Sequence, residues 1–116
     1  MSYPRTILLL LALLATAAIG VAEDFVKPDN PPVPVRTPPP KYPTQLKRDG
    51  VSGTVLVSIV IDEKGHVDAA SISKSSRPEF EDPALDAVKQ WRFKPAKKDG
   101  KAVRTKVALP LRFSAN

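Results

Sequence analysis

The stretch Thr54-Val55-Leu56-Val57-Ser58-Ile59-Val60-Ile61 is the strongest strand pattern in the chain. Successive side chains of a strand point to opposite faces, so Val55, Val57, Ile59 and Ile61 form one unbroken apolar face, with Thr54, Leu56, Ser58 and Val60 on the other. This is the signature of a core strand. Asp62-Glu63-Lys64-Gly65 follows as a turn in which Gly65 is free to take a positive φ, and His66 to Lys74 returns with Val67, Ala70 and Ile72. The spacing from Val67 to Ile72 breaks strict alternation. The expected hairpin therefore carries a bulge beside the turn or within the returning strand.

Before this strand, Thr44 to Arg48 reads as a short helical turn carrying Leu46, stopped by Asp49-Gly50. On the other side, Asp82-Pro83 supplies a cap and a first-turn proline, and Leu85, Val88 and Trp91 follow at helical spacing beside Ala84. Pro95 forbids continuation much past Phe93. A Lys97-Lys98-Asp99-Gly100 loop then leads to a last strand, Ala102 to Phe113, whose Val103, Thr105, Val107, Leu109, Leu111 and Phe113 alternate with Arg104, Lys106, Ala108, Pro110 and Arg112. Proline cannot donate to a sheet ladder, so Pro110 places this strand at an edge, where Arg104, Lys106 and Arg112 are the charges expected. The prediction is an α+β fold of order α-β-β-α-β: a three-stranded antiparallel sheet covered on one face by two helices, with the last strand at the edge. Its expected core comprises Val55, Val57, Ile59, Leu85, Val88, Trp91 and Phe93.

The first third of the chain does not join that pattern. Arg5 precedes an uncharged apolar stretch from Thr6 to Ala22 that ends in Gly20-Val21-Ala22, before Glu23 and Asp24. Residues 1–22 read as a signal peptide or an N-terminal signal anchor, and either implies export. Residues 23–41 read as a proline-rich spacer, since eight of the 13 prolines fall between Pro28 and Pro43. In polyproline II form its 19 residues would span about 60 Å. That leaves residues 42–116 as the folded domain, too small for a large enclosed active-site cavity.

The net charge of +6 is uneven. Arg92 to Arg112 holds eight cations against Asp99 alone, whereas Glu23 to Trp91 holds eleven carboxylates against nine cations. This basic end lacks the interleaved aromatics of single-strand binders, and no nucleic acid partner is expected. There is no cysteine, which excludes disulfides, thiolate zinc sites and thiol nucleophiles. His66, the single histidine, has no second ligand at metal-like spacing. Ser75 and Ser76 lack a nucleophile-elbow setting, and Glu79, Glu81 and Asp82 fit the start of a helix. The chain thus reads as a binding module and not an enzyme, with no catalytic residue, metal or cofactor.

Several motifs carry a more specific resemblance: Tyr42-Pro43; Gly50 and Gly53 before Val55-x-Val57-x-Ile59; Gly65-x-Val67; Ser75-Ser76; Pro83-Ala84-Leu85-x-Ala87-Val88; Trp91-Arg92-Phe93-x-Pro95-Ala96; Gly100-x-x-Val103; and Pro110-Leu111-x-Phe113. From Pro40 to Phe113 the chain resembles the TonB C-terminal domain. The resemblance implies a periplasmic docking module for TonB-dependent outer-membrane receptors, whose N-terminal box peptide adds as a strand to the edge of the last strand and so supports energy-dependent uptake of siderophores or other substrates. It implies partner-binding roles for Arg104, Thr105, Lys106, Val107, Ala108, Leu109, Pro110, Leu111, Arg112 and Phe113, flanked by Tyr42 and Pro43. It also implies engagement of an ExbB–ExbD motor if the N-terminal segment is retained, and it permits a strand-swapped homodimer. Two features depart from the family pattern: Pro39 stands where the Gln-Pro-x-Tyr-Pro motif has glutamine, and Thr6 to Ala22 lacks the anchor histidine. The alternative reading is a soluble periplasmic protein-binding adaptor that does not transduce energy.

Overall fold

The computed structural model describes residues 25–115; the apolar stretch at 6–22 lies outside the described residues. Its elements are β1 (Val33–Arg36), α1 (Thr44–Arg48), β2 (Gly53–Ile61), β3 (Val67–Ser75), a 3₁₀ turn (Pro78–Phe80), α2 (Glu81–Val88), β4 (Arg92–Lys94), β5 (Ala96–Lys98), β6 (Lys101–Val103) and β7 (Thr105–Phe113). The main sheet is antiparallel in the order β3-β2-β7. The predicted α-β-β-α-β frame is its skeleton.

β2 lies at the centre because it has an apolar face to bury. Val55, Val57, Ile59 and Ile61 are fully buried, each contributing about 1.5–3 kcal/mol. Leu46, Phe80, Ala84, Ala87, Val88, Phe93, Leu111 and Phe113 complete the cluster, with α2 packed over β2 and β3. Near its end, Tyr42, Phe80 and Phe113 form an aromatic trio: Phe80 stacks on Phe113 with centroids 4.3 Å apart, and Tyr42 meets both edge-on. Gly53 makes room for it, since a Cβ there would lie 2.5 Å from the Phe80 ring.

The returning strand carries both kinds of irregularity expected of it. Register shifts fall between Val60 and Ile61, beside the turn, and between Leu56 and Val57, within the strand. Gly65, at φ +85, lies so close to β4 that a Cβ would sit 1.8 Å from the Phe93 carbonyl oxygen. The Gly65 carbonyl in turn accepts the Phe93 N–H at 2.9 Å.

Four expectations need correction. First, the proline-rich spacer, expected in extended polyproline II form, contains a strand: Val33–Arg36 pairs antiparallel with β4, and Asn30 bridges Lys97. Proline is tolerated on an edge strand, and Pro34 needs no donor there. Second, α2 begins at Glu81 with no side-chain cap from Asp82, because the 3₁₀ turn that buries Phe80 runs straight into it. Pro83 still falls among the first amides, which lack helical acceptors anyway. Third, α2 ends at Val88 and its chain tightens through Trp91 N–H to Val88 O, so Trp91 follows the helix. Leu85 and Trp91 are half-buried against the core, with Val88 and Phe93 inside it. Fourth, the last strand is two strands. Ala96–Lys98 and Lys101–Val103 form a hairpin closed by Asp99 (φ 52) and Gly100 (φ 76), a type I′ pattern, and β7 starts afresh at Thr105.

Candidate partner-binding edge

β7 pairs with β2 through nine successive residues, Thr105 opposite Ile61 to Phe113 opposite Gly53, without a bulge. No strand among the described residues occupies its other side. Its side chains divide cleanly. Thr105, Leu111 and Phe113 are buried, Val107 and Leu109 partly so, and Lys106, Ala108, Pro110 and Arg112 are exposed.

The backbone follows the same alternation. Thr54 accepts the Ser76 N–H and Asp62 donates to His66 O, so these even-numbered residues direct their backbone groups toward β3. Leu56, in phase with them, does likewise. Its partner Pro110 therefore occupies a position without β2 hydrogen bonds, where the absent N–H costs the ladder nothing. In phase with Pro110, Lys106, Ala108 and Arg112 turn their N–H and C=O groups outward, while Val107, Leu109 and Leu111 bond to β2. The free edge thus offers donors at 106, 108 and 112 and a gap at 110.

The flanking residues are distributed unevenly. Tyr42 reaches the C-terminal end of β7, its ring 5.6 Å from that of Phe113, and its hydroxyl donates to Val51 O. Tyr42 and Pro43 both line a groove of about 550 Å³ between the Pro38–Thr44 strap and Asp82, Pro83 and Asp86 of α2. Arg104 precedes β7 and pairs with Asp68 at 2.9 Å. Nearby Asp62 is held below the usual carboxylate range: its partial desolvation acts upward, but the N–H groups of His66 and Lys64 and the charges of His66 and Arg104 outweigh it. Ser75 has a structural contact that sequence reading missed, its hydroxyl donating to Glu81 Oε2 at 2.5 Å and tying β3 to the first turn of α2. The signal was a serine just ahead of an acidic helix start.

The model of the Gram-negative bacterial TonB protein C-terminal matches residues 38–115. The chain is 31% identical over 98 residues to Protein TonB of Vibrio cholerae, covering 84% of this chain and 40% of that protein. It is 35% identical over 79 residues to Protein TonB of Xanthomonas campestris pv. campestris, covering 67% and 35%. It therefore spans well under half the length of these relatives. The solution NMR structure of the Pseudomonas aeruginosa TonB C-terminal domain superposes with a TM-score of 0.61 at 29% identity, covering 74% of this chain and 88% of that one. With its fold and most of its length so matched, this chain belongs to the TonB C-terminal family.

Proposed function

We propose that the free edge of β7 receives the N-terminal box peptide of TonB-dependent outer-membrane receptors as an added strand, in the periplasm, and that this docking supports energy-dependent uptake. The observation that carries the reading is the outward phase of Lys106, Ala108 and Arg112 beside the donor-less Pro110. Main-chain bonds along such an edge supply affinity, and the exposed side chains at 106, 108 and 112 supply selectivity. The exposed cations favour a peptide with carboxylates in register. Engagement of an ExbB–ExbD motor belongs to the same reading if residues 1–22 remain attached.

The test is a substitution that touches only the outer side of the edge. Ala108→Pro removes one outward donor and leaves the β2 ladder intact. Titrating receptor-box peptide into both proteins should show binding at least ten-fold weaker for the variant. Equal affinity in a folded variant would exclude β7 as the docking strand.

A second reading, a soluble periplasmic adaptor that transduces no energy, draws on Gly20-Val21-Ala22 as a cleavage site and on the lack of histidine in Thr6 to Ala22. Mass spectrometry of the protein from cells separates the two. A terminus at Glu23 supports the adaptor, and an intact chain in the inner membrane supports the transducer.

A further inference from the structure

The β1–β4 ribbon carries an arrangement that edge docking does not use. Arg36 stands directly opposite Arg92, and on the other side of Arg92 an isolated bridge places His66. Residues facing each other across antiparallel strands present their side chains on the same face, with Cβ atoms about 5 Å apart. Arg36, Arg92 and His66 therefore form a row across three backbone segments, all exposed. Lys94 continues the face two residues along β4, with Val33 opposite it.

Two guanidiniums facing each other repel, and a ladder normally avoids the pairing. Here the described residues provide no relief. The ion pairs join Arg77 to Glu79, Lys98 to Asp29 and Arg104 to Asp68, and none reaches Arg36, Arg92 or Lys94. The Arg92 guanidinium donates to the carbonyl of Trp91. Asp62, beside His66, directs its carboxylate at the backbone N–H groups of Lys64 and His66. Facing cations without an ion pair among the described residues are available to an oxyanion, and paired guanidiniums suit phosphate oxygens.

The apolar surface beside it selects the source. The large hydrophobic residues exposed among the described residues are Val26, Val33 and Val35, the last two on this ribbon; Val35, the extra residue at the register shift next to Arg36, is 62% exposed. Cations interleaved with protruding aliphatic side chains fit a membrane surface, where headgroup phosphates meet the cations and the acyl boundary meets the valines. Nucleic acid would instead call for stacking aromatics, and the ribbon's aromatic residue, Phe93, is buried. We infer that the β1–β4 ribbon is a docking surface for anionic phospholipid bilayers, with Arg36, Arg92 and Lys94 contacting headgroup phosphates and Val33 and Val35 entering the interface.

The chain has no cysteine, so Val35→Cys in the full-length protein accepts a single environment-sensitive fluorophore. With vesicles of phosphatidylcholine containing 30% phosphatidylglycerol, the label should shift to the blue and be quenched by lipid-borne quenchers, whereas a label at Ala108→Cys should not. Pure phosphatidylcholine vesicles should give no shift at Val35. Replacing Arg36 alone by serine should weaken the interaction roughly five-fold, and Arg36→Ser with Arg92→Ser about 25-fold, at about 1 kcal/mol per cation. A blue shift equal in both vesicle types, or one retained in the double variant, would overturn the inference. So would absence of a shift while inorganic phosphate alone perturbs the Arg36 and Arg92 amides, which would mark a soluble-anion site. Receptor-peptide binding by Ala108→Pro bears on β7 alone, so either proposal can fail without the other.

Discussion

Trp91 donates its indole N–H to the carbonyl of Pro38 at 2.9 Å, joining residues 53 apart in the chain. This bond, the β1–β4 ladder and the Asp29 contacts fasten the proline-rich segment to the domain. The segment is thus part of the structure that presents Tyr42.

Trp91→Phe keeps most of the ring's packing and removes the donor, leaving a half-buried carbonyl unpaired. The expected cost is about 1 kcal/mol in chemical denaturation. Amides of Val33 to Arg36 should lose protection from hydrogen exchange first, and unchanged protection there would separate the strap from Trp91.

Gly65→Ala meets two obstacles, a φ of +85 and the Phe93 carbonyl oxygen at 1.8 Å. Backbone cannot step aside as a flexible side chain can. The substitution should destabilise by more than about 2 kcal/mol, since strain and overpacking add. Gly50→Ala provides the control: its φ is +70 but nothing lies within 4 Å of the added carbon, so thermal unfolding should show a smaller loss.

Phe80→Ala should cost about 3–5 kcal/mol and leave this small domain largely unfolded. Phe80 is fully buried and stacked on Phe113, so its removal also frees the end of β7. Phe80→Leu should retain the fold, with weaker protection at Phe113.

The Asp29 carboxylate accepts the Asp99 N–H at 2.9 Å and the Lys98 ammonium at 3.2 Å. The backbone bond first, and the lysine second, hold it below its ordinary value of 3.8. A carboxyl group lowered on folding stabilises the docked segment above its unfolded pKa, and that contribution is lost as pH falls through the lower folded value. The Asp99 amide should report a midpoint below 3.8 by NMR, and a midpoint at or above 3.8 would show that the contact is not made in solution.

The parts legible in the sequence were those set by strong local chemistry. β2 declared itself through its buried valines and isoleucines, the β2–β3 turn through Gly65, and the edge through Pro110. What escaped was set by pairing across distance. Val33–Arg36 is too short and too rich in proline to read as a strand until Arg92–Lys94 is beside it. Lys97 to Gly100 resembled a loop because its Asp-Gly turn joins strands of only three residues. Asp82-Pro83 looked like a helix start because cap chemistry is local, whereas burial of Phe80 moved the first helical residue two positions earlier, from Pro83 to Glu81. In the candidate site, the alternation along β7 was readable, but the placement of Tyr42 against Phe113, and of Tyr42 and Pro43 along the groove beside α2, emerges only from tertiary packing.

Hydrogen exchange of the β7 amides with and without a receptor-box peptide tests whether β7 is the docking strand. Strand addition predicts that Lys106, Ala108 and Arg112, whose N–H groups face outward, gain protection on binding, while Val107, Leu109 and Leu111, already bonded to β2, change little. Protection gained instead along the β3 edge, or no gain at 106, 108 and 112 under saturating peptide, would show that β7 does not receive the peptide.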